Sequence, residues 1–335
     1  MIGIDIGSKS IKVVDVIKEG NTFKLKASGV VGYSGLTPDK MTEEKDFVAL
    51  SEIIKKLVKQ IGVSTRDANV AIAEDLAFTR VIKFPNLSEE EINSAVKWEA
   101  EQYIPIPINE AIVQHSVLFK DETSSSVSVL LIAAPRTVVE KYVKLLRLAN
   151  LNPIAAETEL MALSRALSSE KGVNMVIDLG AESTDIGIVR DGVLAFSRSI
   201  PVAGEALTRA VSQSLNIASP QAEEYKKTYG LKKDQLEGKK KNAVDPVFRI
   251  ITEEIKKAIH FFQAEEKGDP PSSILISGGV SNMPELSAEL TTALGIEVAL
   301  ADPFAKISLE PEMKKSLAPY SSLYGIAVGL ALRDD

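Results

Sequence analysis

Two short segments of this chain place an aspartate, a glycine and small polar residues directly after an apolar run. The first is "IGIDIGSKSIK", with Asp5 before Gly7, and the second is "MVIDLGAESTD", with Asp178 before Gly180. Glycine lets a backbone approach a ligand closely, and successive N–H groups in such a turn form a nest that binds anions. Carboxylates beside the nest suit a hydrated Mg²⁺ ion, which prefers a few carboxylates, waters and phosphate oxygens. The pair of segments therefore predicts a site for a phosphate chain with Mg²⁺.

The stretch "GSKS" has the residue types of a P-loop but not its spacing. A P-loop needs four residues between its first glycine and a Gly-Lys pair. Here three residues separate Gly3 from Gly7, and Ser8 stands between Gly7 and Lys9. β-Branched residues continue to Ile17, which predicts a second strand instead of a helix. The motif is strand, glycine turn, strand. For the first segment alone, a plain hairpin with a solvated aspartate is the alternative interpretation.

A third segment, "SILISGGVSNMPELSAEL", places two glycines between a strand and a helix. The apolar strand ends at Ser277, Gly278 and Gly279 follow, and a helix is predicted to begin near Met283 and Pro284. Such a turn suits a flat ligand that lies against the backbone. A tight strand-to-helix turn without a ligand is the alternative.

Composition excludes several classes of protein. The net charge of −7 does not favour nucleic acid as a partner. Cysteine is absent, which rules out disulfides and thiolate metal sites. No apolar run approaches the ~20 residues of a membrane span, and the strand-like N-terminus with Asp5 does not resemble a signal peptide. These features predict a cytoplasmic protein with no direct membrane span, and 335 residues suit two lobes.

Hydrophobic periodicity supplies the elements around these motifs. Helices are predicted near 43–61, ended by Gly62, and near 244–266. Residues 81–160 predict strand, helix, strand, strand, helix, strand. The first helix there begins with a capping box of Ser88 and Glu91 and carries Trp98, for which core packing and a partner groove are the two interpretations. The basic stretch "LKKDQLEGKKKNA" is expected to be a solvated loop.

In this order, the three motifs resemble those of the actin-like ATPase superfamily. The resemblance implies an α/β fold in which two lobes with duplicated β-sheet cores flank a nucleotide cleft. It also implies ATP and Mg²⁺ as cofactors, with Asp5 and Asp178 at the metal through its water ligands, an arrangement that suits Mg²⁺. The residues that it places at ATP are Gly7, Ser8, Lys9, Ser10, Lys12, Gly180, Glu182, Ser183, Thr184, Gly204, Glu223, Lys226, Gly278, Gly279 and Val280.

The helix "SPQAEEYKKTYG" carries Glu223 and Lys226, and it resembles the ribose-contacting helix of bacterial actin homologues. Its sequence predicts Ser219 as N-cap and Gly230 as the stop. In the segment "AAETELMALSRAL", the resemblance places a water-orienting residue at Glu159, with Glu157 in reserve. A helix N-terminal acid stabilised by the dipole is the alternative for this carboxylate. Slow or negligible hydrolysis is therefore expected in isolation.

The insertion between residues 83 and 154 resembles a βαββαβ subdomain of the division protein FtsA. The segments "LSEEEINSAVKWEAEQYIPIP" and "LAPYSSLYGIAVGLALR" are similar to the PilM family of type IV pilus assembly. FtsA carries a C-terminal amphipathic membrane helix, and the sequence predicts that this anchor is absent here. The alternatives kept open are an FtsA-like cell-division or other actin-like scaffold and a slow ATPase or sugar-kinase-type enzyme. The intact motif residues argue against a scaffold that no longer uses nucleotide.

The PilM resemblance implies a protein at the inner face of the cell membrane, held there through partners. The implied partner is the N-terminal cytoplasmic tail of a PilN-like membrane protein, with pilus motor ATPases as further contacts and an oligomer left open. The tail is predicted to bind along the seam between the insertion and the first lobe, with Trp98 and Tyr103 as anchors. The predicted division is a first lobe of 1–82, 155–172 and 312–335, an insertion of 83–154, and a second lobe of 173–311 with an outer subdomain near 202–271.

Overall fold

A computed structural model describes residues 1–121, 125–169, 171–232, 239–266 and 268–334 of the chain. These residues form three β-sheets with helices packed on them. Two of the sheets carry the predicted hairpins, and the third lies in the predicted insertion. Of the basic stretch named above, residues 233–238 lie outside the described residues, whereas residues 239–243 are helical and do not form the predicted loop.

The first sheet has six strands and contains the first hairpin. Its strands, in sheet order, are β14 (Ile307–Ser308), β3 (Thr22–Gly32), β2 (Ser10–Glu19), β1 (Ile2–Ile6), β4 (Asp67–Ile72) and β8 (Asn152–Thr158). Strands β1 and β2 are antiparallel, whereas β1, β4 and β8 run parallel. Two helices, α1 (Glu44–Ile61) and α3 (Arg136–Leu148), cover one face with buried apolar side chains. As predicted, α1 ends at Gly62, which has a left-handed φ of 67°.

The second sheet repeats this plan with five strands. In sheet order they are β11 (Val193–Ile200), β10 (Thr184–Arg190), β9 (Val173–Leu179), β12 (Ile274–Ser277) and β13 (Val298–Leu300). An antiparallel hairpin, β9–β10, again lies beside a parallel strand, β12. The helices of this half are α5 (Gly204–Leu215), α6 (Ser219–Tyr229), α7 (Lys239–Glu266) and α8 (Leu286–Leu294). Their apolar faces and the sheet form one buried core.

Two helices, α4 (Glu159–Leu167) and α10 (Gly325–Ala331), join the two sheets. Leu160 and Leu330 share a buried cluster with Ala71 of the first sheet and Val176 of the second. A glycine in α10 allows the two helices to pack closely. A Cβ on Gly329 would lie 1.8 Å from the backbone oxygen of Ala162.

The third sheet has the order β5 (Phe78–Pro85), β7 (Ser126–Pro135), β6 (Ala111–Asp121), so that β5 and β6 are its edges. Helix α2 (Glu89–Tyr103) packs on it through Ile92, Val96 and Ala100. The capping box of Ser88 and Glu91 is present, as predicted. A further helix, α9 (Pro311–Leu317), precedes the region of α10.

At the C-terminal end of the insertion, the structure differs from the prediction. Helix α3 buries Tyr142, Leu145 and Leu146 in the core of the first sheet. Strand β8 pairs with β4 of that sheet, so the third sheet has three strands and not four. Likewise β14 pairs with β3, although residues up to 311 were assigned to the second lobe. Apolar periodicity identifies these elements but not the sheet that covers them.

Two local predictions are also corrected. Trp98 does not pack in a core, because 66% of its surface is exposed, and Tyr103 on the same helix is 37% exposed. In α6 the N-cap is Ala218, and Ser219 is already helical with no side-chain cap. The stop at Gly230 is as predicted.

Candidate functional site

The two hairpins have the same local geometry. The N–H of Gly7 donates to the Ser10 carbonyl at 3.1 Å, and the N–H of Gly180 donates to the Ser183 carbonyl at 3.0 Å. Asp5 stands opposite Lys12 in the β1–β2 ladder, and Asp178 stands opposite Asp185 in the β9–β10 ladder. Each pair is seven residues apart along the chain. The duplication seen in the sequence therefore extends to the turn hydrogen bond and to the cross-strand pair.

In the first hairpin the cross-strand pair is an ion pair. Lys12 Nζ lies 2.9 Å from Asp5 Oδ2, and both side chains are largely buried. Burial lowers the pKa of Lys12, but the neighbouring Asp5 carboxylate outweighs it, so the pKa is raised overall. The other oxygen, Asp5 Oδ1, is buried and has no hydrogen-bond partner among the described residues. A buried unpaired oxygen of this kind needs a ligand, water or ion to satisfy it.

In the second hairpin the cross-strand pair has like charges. Burial and the nearby Asp185 carboxylate raise the pKa of Asp178 to about 7. Burial likewise raises the pKa of Asp185 to about 7. Ser183 Oγ donates to Asp185 Oδ2 at 2.8 Å, while the buried Asp185 Oδ1 has no partner within the described part of the chain. The second hairpin thus places two carboxyl groups where the first places an ion pair.

Asp185 was not among the predicted site residues. It occupies in the second hairpin the position that Lys12 occupies in the first, seven residues after the strand-end aspartate. That shared spacing is the signal that could have identified it. Lys12 was assigned by this spacing, and the same count from Asp178 reaches Asp185.

Glu159 brings a further carboxylate to the same place. It is the first residue of α4, and its pKa is raised well above the usual range by burial and by the charges of Asp185, Asp5 and Asp178. Glu159 Oε2 accepts a hydrogen bond from the N–H of Glu74 at 3.2 Å. The position is thus a helix N-terminus that also lies close enough to the aspartates for their charges to act on it. Both interpretations of this residue stay open.

Glu157, the second choice for the water-orienting residue, forms an ion pair with Arg165. Its carboxylate accepts hydrogen bonds from both Nη atoms of Arg165, at 2.6 and 2.7 Å, and lies 3.5 Å from Arg333 Nη1. A bidentate ion pair of this geometry holds both carboxylate oxygens. Glu157 is therefore a structural residue that fixes α4.

Helices α5 and α6 place a buried lysine beside the second hairpin. The N–H of Gly204 donates to the Gly180 carbonyl at 3.2 Å. Lys226 Nζ donates to the Gly204 carbonyl at 3.0 Å and lies 2.6 Å from Glu223 Oε2. Burial lowers the pKa of Lys226. Burial alone would raise the pKa of Glu223, but hydrogen bonds from Lys226 and Thr208 hold it below its usual value.

The double-glycine turn lies against these groups. Gly278 has a φ of +91°, and a Cβ there would lie 2.5 Å from the Leu179 carbonyl oxygen. Val280 donates its N–H to that same carbonyl at 3.0 Å, and a Cβ on Gly204 would lie 2.8 Å from Val280 Cγ2. The structure therefore brings together the second hairpin, the start of α5, the lysine of α6 and the double-glycine turn.

Three predicted ligands have other partners in this structure. Lys9 Nζ lies 2.6 Å from Glu205 at the start of α5, and Lys40 Nζ lies 3.0 Å from Glu182. Both ion pairs join the first lobe to the second at the solvent-exposed rim of the site. Thr184 is buried, and its hydroxyl donates to the Val202 carbonyl at 2.8 Å. Ser8, Ser10 and Gly279 lie at the turns where they were expected.

Reversing the two rim lysines, as Lys9→Glu with Lys40→Glu, is expected to open the cleft. Exposed ion pairs each contribute only about 0.2–1 kcal/mol, so repulsion should shift the population of closed molecules several-fold. Because the chain has no cysteine, spin labels on Lys56→Cys of α1 and Ser214→Cys of α5 would report the distance between lobes. The matched control adds Glu205→Lys and Glu182→Lys and should restore the parent distance. Identical distance distributions in all three proteins would show that the ion pairs do not hold the lobes.

Comparison with models of known protein families matches residues 3–335 to the family described as type IV pilus assembly protein PilM. The chain belongs to the PilM family. It is thus an actin-like protein of type IV pilus assembly, as the segments around Trp98 and the C-terminal helix predicted. None of the helices in the described residues combines the length and hydrophobicity that crossing a membrane requires.

Solved structures and curated relatives agree with the PilM assignment. The structure described as "PilM-PilN type IV pilus biogenesis complex" superposes with a TM-score of 0.84 at 28% identity, covering 99% of this chain and 97% of that one. The cell division protein FtsA of Bacillus subtilis (strain 168) is 22% identical over 351 residues, which span 90% of this chain and 78% of FtsA. MreB5 of Spiroplasma citri bound to ADP has a TM-score of 0.53 at 14% identity, covering 98% and 94% of the two chains. The predicted actin-like, FtsA-like fold is confirmed.

Proposed function

We propose that this PilM-family protein binds ATP and Mg²⁺ between its two lobes and binds the N-terminal cytoplasmic tail of a PilN-like membrane protein. Nucleotide state would be relayed to that partner within the inner-membrane platform of the pilus. The observation that carries the proposal is the meeting of two matched glycine hairpins, with buried carboxylates, at the place where the double-glycine turn and α6 also converge. The protein would thereby be peripheral at the inner face of the membrane.

The carboxylates fit a metal ion. Asp5 Oδ1 and Asp185 Oδ1 are buried without partners in the described residues, and Asp178 lies beside Asp185 in the ladder. A hydrated Mg²⁺ ion would satisfy such oxygens through its water ligands and would offset their mutual repulsion. When bound, the metal supplies positive charge to the phosphates. MreB5, which shares the fold, has been solved with ADP.

The remaining residues fit the parts of ATP. The N–H groups of the turns at Gly7 and Gly180 suit phosphate oxygens, and Lys12 adds a positive charge beside the first turn. Glu223 and Lys226 are proposed at the sugar, and the turn from Gly278 to Val280 at the base. Lys9, Glu182 and Thr184 have partners of their own. Their side chains are therefore proposed to contribute less to nucleotide binding than their backbone groups do.

Glu159 limits catalysis in this arrangement. A general base must be deprotonated to accept a proton from water. Burial and the charges of three aspartates raise the pKa of Glu159 well above its usual range, which disfavours the deprotonated form that a base needs. Slow or negligible hydrolysis follows for the isolated protein, unless a metal or partner lowers that pKa.

The partner is supported by the PilM-PilN complex that shares this fold. Among the described strands β6 pairs with β7 alone, so as an edge strand it can pair with an extended peptide. Trp98 and Tyr103 on α2 expose aromatic surface, and Arg80 stacks on the Tyr103 ring at 4.0 Å. The seam between the third sheet and the first lobe is the proposed groove. Pilus motor ATPases are proposed as further contacts.

Replacing Trp98 with alanine is expected to weaken binding of a PilN-like tail peptide. A large buried side chain contributes roughly 1.5–3 kcal/mol, so the dissociation constant should rise about tenfold or more from a micromolar value. Fluorescence anisotropy of a labelled peptide, with and without Mg-ATP, measures this. Phe261→Ala is the matched control, because Phe261 is a comparably exposed aromatic on the second lobe. Peptide cross-links confined to residues 202–271 would contradict the proposed groove.

A further inference from the structure

Tyr33 makes two hydrogen bonds to the turn of the first hairpin. It follows β3 directly, and its backbone N–H donates to the Lys9 carbonyl at 3.1 Å. Its hydroxyl donates to the Gly7 carbonyl at 2.9 Å. One residue from the neighbouring strand thus binds both ends of the sequence Gly7 to Lys9. No local sequence pattern indicates this contact, since Tyr33 follows Gly7 by 26 positions.

These two contacts fix the direction of two peptide groups. In a trans peptide the C=O of one residue and the N–H of the next point to opposite sides, and no cis peptide occurs in the described chain. Because the Gly7 carbonyl points at the Tyr33 hydroxyl, the N–H of Ser8 points away from it. Because the Lys9 carbonyl points at the Tyr33 N–H, the N–H of Ser10 also points away. Neither donor is therefore directed at Tyr33, and Tyr33 fixes the planes of both peptide groups.

We propose that Tyr33 is a positioning residue for phosphate binding, which orients the N–H groups of Ser8 and Ser10 toward the phosphate chain of a nucleotide. The inference rests on the proposed ATP site and adds to it a residue that does not touch the ligand. An anion nest forms where successive N–H groups face one anion. Preorganised donors bind better than donors that must be ordered by the ligand.

The surroundings of Tyr33 suit this task. Its ring packs against the core of the first sheet, and this packing holds the hydroxyl in place. Burial and the nearby Asp5 carboxylate raise the pKa of Tyr33 to about 12. The hydroxyl therefore keeps its proton, and remains a donor to Gly7, throughout the physiological range.

The test is Tyr33→Phe, which removes only the hydroxyl. Calorimetric titration should show a three- to tenfold loss of affinity for Mg-ATP and an unchanged affinity for adenosine, which lacks phosphates. Amide exchange at Ser8 to Ser10 should quicken in the nucleotide-free variant. Tyr320→Phe, an exposed tyrosine, is the matched control.

The outcomes are distinguishable. Equal losses for ATP and adenosine would indicate a general structural role and would overturn the inference. Parent-like binding of both ligands would also overturn it while leaving the ATP site intact. Failure of the parent protein to bind ATP at all would overturn the proposed function, and this inference with it.

Discussion

Asp178→Asn is expected to abolish Mg-ATP binding and, at the same time, to stabilise the nucleotide-free protein at pH 8. The first effect follows because the proposed metal site loses one of its strand-end carboxylates. The second follows because the Asp178 carboxylate lies opposite Asp185 in a half-buried position, where desolvation and repulsion raise its pKa to about 7. Asparagine has a similar shape without the charge.

The sign of the pH dependence follows from this shift. The folded protein holds the Asp178 proton up to about pH 7, whereas the unfolded chain releases it near the ordinary value of 3.8. Folded molecules thus bind more protons between these limits, and stability falls as the pH rises through them. The full loss in the free energy of unfolding is reached above pH 7. It is at most on the order of 4 kcal/mol, at about 1.4 kcal/mol per pKa unit.

Thermal unfolding in EDTA between pH 4 and pH 8 measures the stability effect, and titration with Mg-ATP measures the binding. The variant should melt higher than the parent at pH 8 and similarly at pH 4. Asp269→Asn, which changes an exposed aspartate, is the control and should alter neither property. If Asp178→Asn binds Mg-ATP as tightly as the parent, the cleft proposal is wrong.

Gly329→Ala is expected to prevent stable folding. The added Cβ would lie 1.8 Å from the Ala162 carbonyl oxygen, and the opposing atoms belong to the backbone of α4. Neither helix can shift alone, since α10 also packs on β1, where a Cβ on Gly3 would lie 2.0 Å from the Ala327 oxygen. Overpacking of this severity falls in the range of about 3–5 kcal/mol or more.

Urea unfolding or yield of soluble protein would measure this loss. Gly35→Ala is the matched control, because a Cβ there meets only the Tyr33 ring at ordinary contact distances of 3.6 and 3.8 Å. A Gly329→Ala protein as stable as the control would show that α4 and α10 are packed less closely than described.

The hairpins and the double-glycine turn could be predicted because each is encoded by neighbouring residues. Asp5 with Gly7, and Asp178 with Gly180, specify strand end and turn within a few positions. The carboxylate at Asp185 was missed because a charged residue inside a strand indicates nothing by itself. Its significance comes from the residue across the ladder, Asp178.

Placement of elements could not be derived from periodicity. The apolar stripe of α3 predicts a buried face, but the sequence does not show that the core of the first sheet covers it. The same limit applies to Trp98, whose position on α2 leaves it exposed while Ile92 and Val96 face the third sheet. Likewise, Tyr33 binds Gly7 only because β3 returns beside β2.

The late position of α10 in the chain bears on how the protein is made. The ribosome releases the β1–β2 hairpin first, yet the helix that covers one face of β1 is formed by residues 325–331. The strands of the second sheet are all available once residue 300 has emerged. The second sheet can therefore fold before the first sheet is complete. Until α10 is made, one apolar face of β1 stays uncovered. Contacts that span nearly the entire chain form slowly, so nascent molecules should depend on chaperones until α10 docks.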